Sequence, residues 1–130
     1  MTHPTVSLEV FERWVEETLR ALPAFFRQRI DNVLFVVEDV PAPEVQRLHP
    51  GRLLGLYHGI PVPQRSLWHE GPTFPDEITL YKKNIEAVCR DEDELKRQIQ
   101  QTVLHELGHY FGMDEAQMDA VEATWRKTSG

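Results

Sequence analysis

His105-Glu106-Leu107-Gly108-His109-Tyr110-Phe111-Gly112-Met113-Asp114-Glu115, residues 105–115, sets two histidines four positions apart with a glutamate beside the first. On a helix that spacing stacks the two side chains one turn apart. Both imidazoles can then aim a nitrogen at one point, at about 2.0–2.1 Å from a zinc ion. Glu106 is angled toward the space next to the metal. A carboxylate there can take a proton from a zinc-bound water, whose pKa the metal lowers to about 7, and deliver it to a leaving amine.

Gly112 follows His109 by three residues. Glycine lets the backbone leave a helix in a left-handed conformation and turn back, so that an acid close behind can reach the same ion. A catalytic zinc takes a third protein ligand and keeps its fourth position for water. Glu115 is the expected third ligand. Asp114 and Asp119 are alternates that would otherwise cap the following helix, and His58 and His69 are more distant ones.

Working outward, Asp91 to Glu94 open this helix with acids in its first turn, and Gly112 stops it after Phe111. At about 100° per residue from Leu95, the apolar Ile99, Val103, Leu107 and Phe111 spread from about 40° to 160°. His105 and His109 fall near 280° and 320°, off that stripe and toward a cleft or solvent. A last amphipathic helix is expected from about Asp114 to Trp125, with Met118, Val121 and Trp125 on one side.

Upstream, residues 1–6 read as a loose lead, and Ser7 caps a helix with apolar Leu8, Phe11, Val15, Leu19 and Leu22. Pro23 ends or kinks it, a short helical segment runs to about Ile30, and Asp31-Asn32 turns the chain. Val33 to Val37 reads as a strand buried on both faces. A second strand spans Leu53 to Gly59. Between them, residues 38–52 read as a loop with a helical turn at Glu44 to Leu48. Ile60 to Pro75, with four prolines and Trp68, reads as a stiffened loop. Glu77 to Tyr81 alternates polar with apolar, as a strand exposed on one face does. Asn84 is expected to cap a short helix ending at Cys89.

The 130 residues, with 41% hydrophobic and 27% charged, fit one folded domain. The net charge of -7 argues against nucleic acid as a partner. The longest apolar run, Val33 to Val37, is far below a membrane span, and no basic-then-apolar leader opens the chain. Cys89 is the single cysteine, which excludes an intrachain disulfide and a cysteine metal cage and points to a cytoplasmic, reducing setting.

The string from His105 to Glu115 resembles the extended signature H-E-x-x-H-x-x-G-x-x-E of the zincin metallopeptidases. The wider chain resembles the small bacterial zincin-like, or minimal metallopeptidase, domain family. The similarity takes in the strand running to Pro41, Leu54-Gly55-Leu56-Tyr57 with Gly59 and Pro61, and Ile78-Thr79-Leu80. It implies a small α+β fold, with a short twisted mixed sheet of three to four strands beside an active-site helix and flanking terminal helices. An exposed edge strand would be available to pair with an extended peptide. It also implies Zn2+ held by His105, His109 and Glu115, Glu106 as base and acid, and a peptide or protein substrate. The alternative is a metal-stabilised interaction domain without turnover. Tyr57, Tyr81, Tyr110 and Arg65 have the chemistry of an oxyanion stabiliser, without a positional warrant.

Overall fold

The computed structural model describes residues 3–59 and 75–129, the side chains of 125–129 excepted. The expectations for Arg65, Trp68, His69 and the rest of the 60–74 segment lie outside the described residues, as does the side chain of Trp125. The helix α1 (Leu8–Ala21) starts at Ser7, whose Oγ accepts the Val10 N–H at 3.2 Å. Its buried face carries Phe11 and Val15. After Pro23 comes the single turn α2 (Ala24–Arg27). Asn32 then takes a left-handed conformation, φ 56°, that its short polar side chain tolerates, and the chain turns into the sheet.

The strands β1 (Val33–Glu38), β2 (Gly55–His58) and β3 (Asp76–Tyr81) form one mixed sheet in the order β1-β3-β2. β3 runs parallel to β1, with Phe35 opposite Ile78, and antiparallel to β2, with Tyr57 also opposite Ile78. The helix α3 (Pro43–Leu48) lies between β1 and β2 in the chain. The burial of the two β-rich segments is the reverse of the sequence expectation. Among the described residues β1 is an edge strand, with Leu34 52% exposed, whereas β3 is central and buried at five of its six positions. Position in the sheet decided this. β3 is flanked by strands on both sides, and its buried polar Asp76 accepts the Tyr57 hydroxyl at 2.7 Å.

The helix α4 (Lys82–Ala87) follows β3 without a loop and has no side-chain cap. Asn84 does not cap it; its amide donates instead to the Leu53 carbonyl at 2.9 Å. The lead before α1 is also less loose than expected. The Val6 N–H donates to buried Glu86 at 2.9 Å, on the same oxygen that receives the Lys82 ammonium at 2.9 Å.

The helix α5 (Glu92–Tyr110) is capped by Asp91, whose carboxylate accepts the Glu94 N–H at 2.8 Å. Its Leu95, Ile99, Val103 and Leu107 are buried as the periodicity predicts, in one core with Phe11, Val15, Ile78, Leu80 and Ile85. Each such side chain contributes about 1.5–3 kcal/mol by leaving water. At the far end, the Tyr110 hydroxyl takes the Asp31 N–H at 3.1 Å and donates to the Asp31 carbonyl at 3.2 Å. The metal motif's helix is thereby tied to the entrance of β1. Last comes α6 (Glu115–Ser129). No helix among the described residues is long and apolar enough to cross a membrane.

Candidate metal centre

The last turns of α5 carry the donor atoms. Ligand atoms of His105, Glu106 and His109 all lie within 4.8 Å of one another, and the two imidazole rings are 5.0 Å apart at their centres. Both histidines are half-buried, as their place off the apolar stripe predicts. Glu106 is not at the surface; it is 7% exposed. On the same wheel Glu106 falls at about 20°, between Leu95 and Ile99 at the edge of the apolar stripe, and β2 adds cover where Gly55 comes close to its Cγ.

Gly55 is what lets β2 come so near. A Cβ there would stand 2.9 Å from Thr102 Cγ2 and 3.2 Å from Glu106 Cγ. The bond from the Tyr81 N–H to the Leu54 carbonyl sets the alternation of the antiparallel ladder. By that alternation the peptide groups of Gly55 and Tyr57 point away from β3, toward the outer edge. There the Tyr57 backbone hydrogen-bonds the Glu106 carboxylate.

Burial pushes the Glu106 carboxyl up to about 7, with Glu115 adding to the rise; His105 and the Tyr57 backbone act the other way. His109 is held below its ordinary value by burial, and then by His105, against the opposing pull of Glu115. Glu115 is therefore close enough to act on two of the three motif residues, although its carboxylate is outside the tight trio and exposed.

The turn between α5 and α6 brings Glu115 there. Gly112 adopts φ 72°, its N–H bonds the His109 carbonyl at 3.0 Å, and the Met113 N–H bonds the Gly108 carbonyl at 2.9 Å. This paired closure is a Schellman motif, which a left-handed glycine makes inexpensive. Asp114 then caps α6. Its carboxylate accepts the Gln117 N–H at 2.8 Å, while the Gln117 side chain accepts the Asp114 N–H at 2.9 Å. Asp114 is thus committed to the cap. Asp119 is exposed on α6, and His58 is exposed at the end of β2; neither joins the trio.

The three tyrosines are buried or half-buried. The Tyr57 hydroxyl is engaged by Asp76 and that of Tyr110 by Asp31, while burial raises the Tyr81 phenol above its ordinary value. Sequence reasoning missed one acid. Glu122, two turns beyond Glu115, places Oε1 3.9 Å from His105 Nδ1. No local spacing links it to the motif, and the acids that do follow the motif closely are Asp114, Glu115 and Asp119.

Two imidazoles, a buried carboxylate and nearby acids make a donor set of the nitrogen and oxygen kind that suits zinc. Placed beneath a mixed sheet's edge strand, that set defines a metallopeptidase-type fold with a candidate metal site. The chain belongs to the zincin-like metallopeptidase family, whose model matches residues 30–125. No curated protein matches the chain. The family implies a metal cofactor, typically zinc, and the donors present fit one.

Proposed function

We propose that this chain is a zinc-dependent peptidase in which His105, His109 and Glu115 hold the metal and Glu106 moves the proton. One observation carries the reading: Glu106 sits buried beside two half-exposed imidazoles whose donor atoms converge within 4.8 Å. When bound, the metal would supply Lewis acidity, making a water acidic and polarising a carbonyl. Glu106 accepts the proton of the attacking water. A carboxylate poised near neutrality by burial is matched to that step, and it returns the proton to the departing amine nitrogen as the amide bond breaks. Glu115 approaches from the first turn of α6 through the Gly112 turn, as a flexible carboxylate completing the set.

The edge of β2 supports a peptide as substrate. An extended chain laid along that edge would pair with those outward-facing peptide groups that Glu106 does not engage, which would bring a scissile bond to the site by backbone recognition. The test is elemental analysis of purified protein with peptide cleavage assays. About one zinc per chain is expected, with cleavage lost on chelation and restored by zinc. Glu106→Gln should retain the metal and lower turnover by about 10²–10⁴-fold. Cleavage at the parental rate by Glu106→Gln would refute the mechanism. A hydroxamate inhibitor that binds only in the presence of zinc would separate an open catalytic site from a closed, merely stabilising one.

A further inference from the structure

Glu122 is buried, where a carboxylate is held only in the company of partners, and the His105 ring is one of its neighbours. It lies four residues after Met118 and seven after Glu115, so the three share one face of α6. That face runs along the end of α5. Met118 covers Gly108, and one turn further on Glu122 reaches His105. Gly108 permits the approach: a Cβ there would stand 2.3 Å from the Met118 sulfur. A larger residue there would collide with the Met118 side chain and disturb the seat of α6 against α5.

The two nitrogens of an imidazole lie on opposite sides of the ring. A carboxylate next to Nδ1 fixes the tautomer that carries its proton there, which leaves the lone pair on Nε2 for a ligand. We propose that Glu122 is a positioning residue for His105, accepting the Nδ1 proton and holding the ring with Nε2 free for a divalent cation. The 3.9 Å separation is longer than a hydrogen bond. A small turn of the Glu122 side chain, or one bridging water, closes it. The inference rests on the metal-site reading above, but its first readout needs no metal.

The test compares the parent with Glu122→Ala and Glu122→Gln. Histidine-ring nitrogen NMR of the metal-free proteins, at a pH of about 8 where free imidazole is neutral, reads the tautomer of His105. The parent should carry the proton on Nδ1, Glu122→Ala should shift it toward Nε2, and Glu122→Gln, whose amide oxygen still accepts, should keep it on Nδ1. Zinc affinity, measured by competition with a chromophoric chelator, should fall about 10- to 100-fold in Glu122→Ala and less in Glu122→Gln. A purely packing role would not separate the two variants in this way. A parent His105 protonated on Nε2, or a Glu122→Ala protein that binds zinc as tightly as the parent, overturns the proposal. A parent that shows the Nδ1 tautomer but binds no zinc defeats the peptidase reading and leaves the Glu122–His105 pairing standing.

Discussion

Glu86 and Glu106 are both glutamates on helices and both sunk below the surface, at 2% and 7% exposure. Their surroundings differ in kind. Glu86 is met by the Lys82 ammonium of its own helix and by the Val6 N–H, so its charge is answered within the fold and ties the lead before α1 to α4. Glu106 has two imidazoles and one backbone donor, and its carboxyl is pushed up to about 7. Burial with a full set of partners makes a brace. Burial without one makes a group that exchanges protons near neutrality, which is what a general base requires.

The largest expected effect lies on the brace. Lys82→Met leaves the buried Glu86 charge without its countercharge, with only the Val6 N–H to answer it, and urea unfolding should show a loss of about 3–5 kcal/mol. A loss within experimental error would mean that the pair is not structural. The opposite outcome is expected at Glu106. In metal-free protein the native carboxyl near 7 binds its proton more tightly than the ordinary value of 4.5 allows when unfolded. The native state then holds the extra proton, so stability should fall as pH rises from about 4.5 to 7 and level off above, by about 3 kcal/mol in all. Glu106→Gln should abolish that slope, and a slope unchanged by the substitution would remove the contrast between the two glutamates.

A smaller change tests the approach of α6. Gly108→Ala, forced against Met118, should cost about 1–3 kcal/mol in denaturant unfolding. It should also weaken zinc binding, because both Glu115 and Glu122 ride on that helix. The smallest effect concerns Cys89, buried in the core with its thiol raised to about 11, first by burial and then by Glu94 and Asp91. The native thiol keeps its proton where an unfolded one loses it, above the ordinary 9.0. Alkylation near pH 9 should therefore proceed only after unfolding, and rapid labelling of folded protein would contradict the burial.

Much of this was legible in the residues themselves. The helical period of Leu95, Ile99, Val103 and Leu107 is local information, and so is the four-residue interval of the histidines; both survive folding unchanged. The mixed sheet and α+β class followed from the family resemblance. What failed to show was set by neighbours distant in the chain. β3 has a polar alternation yet sits in the middle, because β1 and β2 close on both sides of it. Glu106 is buried because Gly55 admits β2, and the pairing of Glu122 with His105 depends on how two helices cross. Glu115 was preferred to Asp114 as a ligand by its place in the motif, with Asp114 left open as an alternate or a helix cap. Only the reciprocal bonds with Gln117 separate a helix cap from a free acid.

The short turn at Gly112 divides the proposed metal-site residues between two helices. The histidines and Glu106 are anchored to the sheet through α5, whereas Glu115 and Glu122 travel with α6. Peeling back that terminal helix would open the coordination sphere while the hydrophobic centre stayed assembled. On the proposed metal reading, cation release and global denaturation would be separable events, and the metal occupancy of the chain would gauge whether its last helix is seated.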